Sequence, residues 1–263
     1  MRILFASLLG LLFCVSDGAN AHDGDLFKVL KLEGHQVRWQ VPLNGQPLVV
    51  TYQFVAEPAE FAGARNCRKI TNLNGLIAES KVSDGALRAE LAAAFAMWEA
   101  AANITFREAA EGTRANILIG AQIEPEGWAF ADVFYETASP QPVKSISRAL
   151  VCLNPLRRWK IGFDGDLKKY DLRYTFAHEI GHAIGLDHPS GGRQIMGYRY
   201  EEHFRSLQPG DILGAVALYG EVRHAAGPTH VQARPVTSVR RFAKRWGMFA
   251  KRWGTRAFDA RSP

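Results

Sequence analysis

The segment Tyr174-Thr-Phe-Ala-His178-Glu179-Ile-Gly-His182-Ala-Ile-Gly185-Leu-Asp-His188 constrains this chain more than any other stretch of it. His178 and His182 are four residues apart, so on a helix they share one face, one turn apart. Both imidazoles can then reach one metal ion. Glu179, adjacent to the first of them, reaches a water held by that metal. Gly185 lets the chain leave the helix sharply, because glycine tolerates the left-handed conformation such an exit requires. The turn brings His188 back as a third ligand. Three imidazole nitrogens leave one tetrahedral position open on zinc, the mark of a catalytic site rather than a structural one.

Periodicity supplies the frame around that segment. Val37, Trp39 and Val41 alternate with polar residues, Asn44-Gly45 is a turn signal, and Leu48 to Val55 is rich in β-branched and aromatic residues. These predict a hairpin or two early strands. Leu87, Leu91, Ala94, Phe95 and Trp98 fall on one helical face after a cap at Ser83 or Asp84, and this helix should end near Asn103. Strands are expected at Thr105-Phe106, Asn116–Ile119 and Ala149–Leu153, with a loop at Pro140 and Pro142. A second helix should run from about Asp171 or Leu172 to Gly185, and a third from about Gln208 to Tyr219, stopped by Gly220. This order predicts an α+β fold, a twisted mixed sheet with helices packed on it.

The full pattern H-E-x-x-H-x-x-G-x-x-H over 178–188 is the metzincin signature, and the chain resembles that clan of zinc peptidases. Gln194-Ile195-Met196-Gly197-Tyr198 resembles its Met-turn, in which Met196 would form a hydrophobic floor beneath the metal without ligating it. Within the clan the chain is most similar to the matrixins. The likeness runs over His182–His188, Leu207–Gly220 and Ala94–Gly120, and spans roughly Val37 to Gly220. Matrixins usually carry Pro where Tyr198 stands. Astacin-like and serralysin-like members carry Tyr there, which implies that Tyr198 approaches the zinc or stabilises the oxyanion; packing beneath the site is the other reading. No histidine lies between Phe106 and Ala177, so the histidine-rich structural zinc site of vertebrate matrixins is not expected. Arg65-Asn66-Cys67-Arg68 is only distantly similar to the P-R-C-G latency motif, and residues 22–47 are short for an inhibitory propeptide.

The ends of the chain read differently from its body. Met1-Arg2, the apolar run Ile3–Val15 and Ala19-Asn20-Ala21 have the parts of a secretory signal peptide, with cleavage expected after Ala21. Export to an oxidising compartment allows a Cys67–Cys152 disulfide, and a disulfide or a plain thiol is favoured for Cys67 over a zinc-blocking switch. Residues 22–222 are then the catalytic domain and 223–263 a basic tail. The net charge of +6 conceals an asymmetry. Nine basic residues against one acid from Arg234 onward put the end of the tail at +8, leaving −2 for everything before it. Nothing in the body's charge therefore points to nucleic acid. The tail repeats Phe-Ala-Lys-Arg-Trp-Gly at 242–247 and 249–254. Its aromatic spacing suits an anionic membrane surface or an acidic polymer, although Gly247 and Gly254 weaken a helix. A mobile extension, ordered only on contact, is the favoured reading for the free protein.

The sequence thus predicts a secreted, monomeric zinc endopeptidase. Glu179 would activate the zinc-held water, and an extended peptide would lie along an edge strand taken as Ala149–Leu153. The rival is a non-catalytic, zinc-stabilised or membrane-associated factor acting through its cationic tail. Asp164 and Asp166 raise calcium as a second ion, although a solvated turn explains the same acidic loop.

Overall fold

The computed structural model describes residues 26–110, 112–191 and 193–222. Residues 1–21, read above as a signal peptide, and the basic tail 223–263 lie outside the described residues. Six short strands come first: β1 (Lys28–Val29), β2 (Lys31–Leu32), β3 (His35–Arg38), β4 (Leu48–Phe54), β5 (Ala59–Glu60) and β6 (Lys69–Thr71). Helices α1 (Asn74–Ser80) and α2 (Asp84–Ala101) follow, then β7 (Ile104–Glu108), β8 (Ile117–Gln122), β9 (Ala129–Tyr135) and β10 (Val143–Leu153). The remainder is β11 (Trp159–Lys160), β12 (Tyr170–Asp171), α3 (Leu172–Ala183), β13 (Leu186–Asp187) and α4 (Pro209–Tyr219). The fold is α+β, a mixed sheet with helices packed on it.

Local chemistry sets the helix ends. Ser83 Oγ accepts the Ala86 N–H at 3.1 Å and starts α2. Leu87, Leu91, Ala94, Phe95 and Trp98 then recur at helical spacing, and all five are buried. A fully buried side chain as large as Trp98 contributes about 1.5–3 kcal/mol. Helix α4 begins with Pro209 behind Gln208, whose backbone N–H is accepted by Asp211 at 2.8 Å.

Strands β7, β4, β8 and β10 run parallel to one another in that order, while β9 joins β10 and β6 joins β8 antiparallel. Side chains of β10 alternate between two cores. Ala149, Val151 and Leu153 join the main core under the helices, while Leu150 and Cys152 join a smaller one with Val55, Ala64, Cys67 and Ile70.

Of the two readings of the early segment, two separate strands hold and the hairpin does not: β3 lies parallel to β10, and β4 lies parallel to β7 and β8. The Asn44-Gly45 turn is present, with φ +71° at Gly45, but it connects strands that do not pair. Nor is Ala149–Leu153 an edge. It is bonded to β8 on one side and β9 on the other, which is why it is apolar on both faces. Among the described residues β9 pairs only with β10 and so is an open edge, as is β7 beside β4 at the far side of the sheet; β9 is the one that lines the cleft of the histidines.

Candidate metal centre

The central helix α3 starts where Asp171 accepts the Tyr174 N–H at 2.9 Å. Asp171 is fully buried and charged, so it requires partners. Arg205 supplies two hydrogen bonds to it, at 2.9 and 2.8 Å, and a third at 2.6 Å to the buried Glu90 of α2. Arg173 donates to the same Glu90 at 2.8 and 3.1 Å. Further along, the Trp98 indole N–H donates to the Ala177 carbonyl at 3.0 Å. Helix α3 is thereby fixed in height and rotation against α2.

The two helical histidines are then oriented by carbonyls. His178 Nδ1 bonds the Ile195 carbonyl at 2.7 Å and His182 Nδ1 bonds the Leu186 carbonyl at 2.8 Å. Each carbonyl can only accept, so Nδ1 carries the proton and Nε2 presents its lone pair. The chain leaves the helix through Gly185, with φ +101°. A Cβ there would also lie 2.4 Å from the Val37 carbonyl oxygen, so only glycine fits. This exit returns His188, whose backbone N–H is held by Asp187 at 2.8 Å; Asp187 in turn pairs with Lys28 at 2.5 Å.

The three Nε2 atoms converge to separations of 3.1, 3.2 and 3.1 Å. Three nitrogens about 2.0–2.1 Å from a tetrahedral zinc would lie about 3.3 Å apart. Three lone pairs facing one another repel, and a divalent cation at their centre removes the conflict. Burial lowers the pKa of all three rings, His182 to about 4, so they are neutral ligands at neutral pH. The donor set therefore fits zinc.

Glu179 is buried beside the triad, with no hydrogen-bond or ion-pair partner among the described residues. Burial pushes its carboxyl up to about 8, and the negative Asp132 adds to the shift. A dication at the triad opposes that shift. Both groups line one cleft of about 1090 Å³ with the three histidines.

Met196 is buried, and its Sδ lies against Gly181 of α3, where a Cβ would come within 2.2 Å of it. Tyr198 is 82% exposed and stands edge-on to His188, ring centroids 5.2 Å apart, so it lines the cleft rather than packing beneath the site. Cys67 and Cys152 are disulfide-bonded, with Cα atoms 5.7 Å apart. The acidic loop at Asp164 and Asp166 is closed from within. Lys160 Nζ ion-pairs with Asp164 and Glu202 and donates to the Asp166 carbonyl at 2.9 Å. The Asp164 and Glu202 carboxylates are thereby already paired with one ammonium.

Several residues at the centre carry no motif signal. Arg205, Glu90 and Trp98 act through contacts between distant parts of the chain. Asp132 lies on the unpredicted strand β9. Its carboxylate accepts the backbone N–H groups of Asn66 and Cys67, at 2.8 and 2.7 Å. Asp211 could have been found from its position three residues after the helix-capping Gln208.

Comparison with known proteins agrees with this geometry. The family described as Matrixin matches residues 71–220. Matrix metalloproteinase-19 of Mus musculus is 29% identical over 140 residues, covering 51% of this chain and 25% of that protein. Its Homo sapiens counterpart is 41% identical over 61 residues, 22% of this chain and 12% of that protein. Stromelysin-3 of Homo sapiens is 29% identical over 145 residues, 51% of this chain and 28% of that protein. The chain thus spans between 12% and 28% of the length of these relatives.

Proposed function

The chain belongs to the matrixin family, and from that premise we propose that it is a zinc-dependent endopeptidase. The observation that carries the reading is Glu179. Its carboxylate is nearly fully buried, has no protein partner among the described residues and opens onto the cleft beside three convergent imidazoles; its charged form is disfavoured there, and a site that only held metal would not need it.

His178, His182 and His188 would hold one zinc ion. Zinc, when bound, supplies Lewis-acid polarisation of the scissile carbonyl and acidifies a water. The substrate would lie extended along the free edge of β9, Ala129–Tyr135, adding a strand to the sheet. The Glu179 carboxylate takes a proton from the attacking water and passes it to the leaving amine nitrogen. The Tyr198 hydroxyl, exposed beside His188, donates to the carbonyl oxygen as negative charge develops on it. Met196 acts through packing under α3 rather than as a ligand. Residues 1–21 would direct export, and none of the helices among the described residues is long and apolar enough to cross a membrane.

The test is Glu179→Ala with zinc content measured beside hydrolysis of an unfolded protein. Full zinc loading with hydrolysis reduced at least a hundredfold supports the reading. Undiminished hydrolysis, or hydrolysis that survives chelation, overturns it. Removal of 223–263 should leave hydrolysis intact; loss of all function with the tail would favour the non-catalytic, tail-borne alternative.

A further inference from the structure

The turn at 63–66 lies outside the stretch matched by the matrixin family, yet Gly63, Arg65 and Asn66 line the same cleft as Glu179 and the histidines. It is anchored on three sides. Cys67 is disulfide-bonded to Cys152 in the centre of the sheet. Asp132 of the edge strand accepts the N–H groups of Asn66 and Cys67, and its other oxygen accepts from Asn66 Nδ2 at 3.3 Å. The Phe61 N–H bonds the Arg68 carbonyl at 2.8 Å and closes the base of the turn.

The edge strand presents two faces. Ala129, Ala131, Val133 and Tyr135 pack on the main core, while Phe130 and Phe134 pack on the smaller core with Cys67. Asp132 points the same way as these two phenylalanines and meets the turn. A peptide paired with the free edge of β9 alternates in the same manner. Every second side chain of it runs toward the face that carries the 63–66 turn.

Charge decides what is received there. Among the charged residues lining the cleft, Asp132 is occupied by three N–H groups and Asp187 by Lys28 and the His188 N–H. Glu179 is the proton-handling group. Arg65 and Arg199 are exposed, with no ion pair or hydrogen bond among the described residues. The uncommitted charge facing the substrate is therefore cationic.

We propose that the disulfide-pinned 63–66 turn is a specificity wall, and that Arg65 selects an acidic side chain of the peptide substrate, with Arg199 adding to the same preference. This rests on the reading of the cleft as a peptide-binding site. It names Arg65 as a specificity-determining residue and acidic segments as the substrate class.

The experiment uses an otherwise neutral fluorogenic peptide in which each position around the scissile bond is Glu in one version and Gln in the other. For the full chain, kcat/KM should favour Glu by about two- to fivefold at one or more positions, more at low salt. In Arg65→Glu, with folding checked by melting temperature, the Glu/Gln ratio at one of those positions should fall below one. In Arg65→Gln it should approach one. A ratio near one at every position in the wild type, or a preference unchanged in Arg65→Glu, overturns the proposal. Fluorescence anisotropy of the same peptides on zinc-loaded Glu179→Ala separates this from the catalytic reading. Acidic preference in binding without turnover by the wild type would sink proteolysis and leave the specificity wall standing; turnover without preference would do the reverse.

Discussion

The Asp211 carboxylate holds Met196 in place: its Oδ1 accepts the Met196 N–H at 2.9 Å, while its Oδ2 accepts that of Ile195, also at 2.9 Å. The carbonyl of Ile195 in turn fixes His178 Nδ1. The first residues of α4 are thus connected to His178, a proposed zinc ligand, through one carboxylate and one peptide unit. Asp211 is 1% exposed, so water cannot replace it.

Asp211→Ala should therefore leave two buried N–H groups unpaired, those of Ile195 and Met196, together with the part-buried one of Gln208. Each buried loss costs about 1–3 kcal/mol, so destabilisation of about 2–6 kcal/mol is expected from the two buried groups. Zinc affinity should fall about 10–100-fold, the range for a lost partner of a metal ligand. Thermal melts and competition with a chelator measure both. Wild-type zinc affinity in this variant would show that His178 needs no support from the turn.

Gly181 and Met196 share one space. A Cβ on Gly181 would lie 2.2 Å from Met196 Sδ and 3.0 Å from Trp98. Trp98 cannot retreat, because its indole is bonded to Ala177. Gly181→Ala should cost about 1–3 kcal/mol through overpacking. Met196→Ala in the same chain should recover part of that loss, a coupling that a double-mutant cycle detects. Additive effects would mean the methionine is free to move aside.

Arg205 compensates two buried carboxylates, Asp171 and Glu90. Arg205→Ala should destabilise by about 3–5 kcal/mol, because it strands buried charge at the start of α3. The readout is a denaturant midpoint, and a midpoint shift below about 1 kcal/mol would contradict the assignment.

Lys160 bridges Asp164 and Glu202. The melting temperature of the wild type should not respond to millimolar calcium. Lys160→Ala should melt lower and regain stability with calcium, since the vacated carboxylates offer a hard cation its oxygen ligands. A calcium response in the wild type would show that the ammonium does not fill that place.

What could be read in the sequence is what local chain geometry fixes. His178, His182, Gly185 and His188 are close in sequence, so their spacing already determines convergence. The buried face of α2 follows from its period, and Ser83, Asp171 and Gly220 mark helix ends through the chemistry of caps. Strand pairing is different. An apolar run such as Ala149–Leu153 predicts a strand, but apolarity on both faces marks the middle of a sheet, and the open edge beside the cleft belongs to β9, whose Asp132 interrupts its pattern. Glu90 and Arg205 are 115 residues apart, and no periodicity records a partnership made only by folding. The cleft wall at Arg65 is hidden for the same reason, since its position depends on a disulfide and on Asp132.

The pH dependence of the metal-free protein tests the burial of the site, and its sign requires two opposing groups. His178 and His182 are lowered by burial, His182 to about 4, so below about pH 6.5 the unfolded chain takes protons that the folded one refuses. Stability present above pH 6.5 is then lost as pH falls toward 4, by about 1.4 kcal/mol per pH unit for each proton refused. Glu179 acts the other way. Its carboxyl is raised to about 8 by burial, so its contribution is present at low pH and lost as pH rises from about 4.5 to 8. In apo Glu179→Gln the opposing group is gone, and the melting temperature should fall steeply between pH 6.5 and 4.5. The apo wild type should fall less over the same range. Melts of both proteins after chelation, with zinc content verified, decide it; equal slopes would show that Glu179 is not held in its protonated form by the fold.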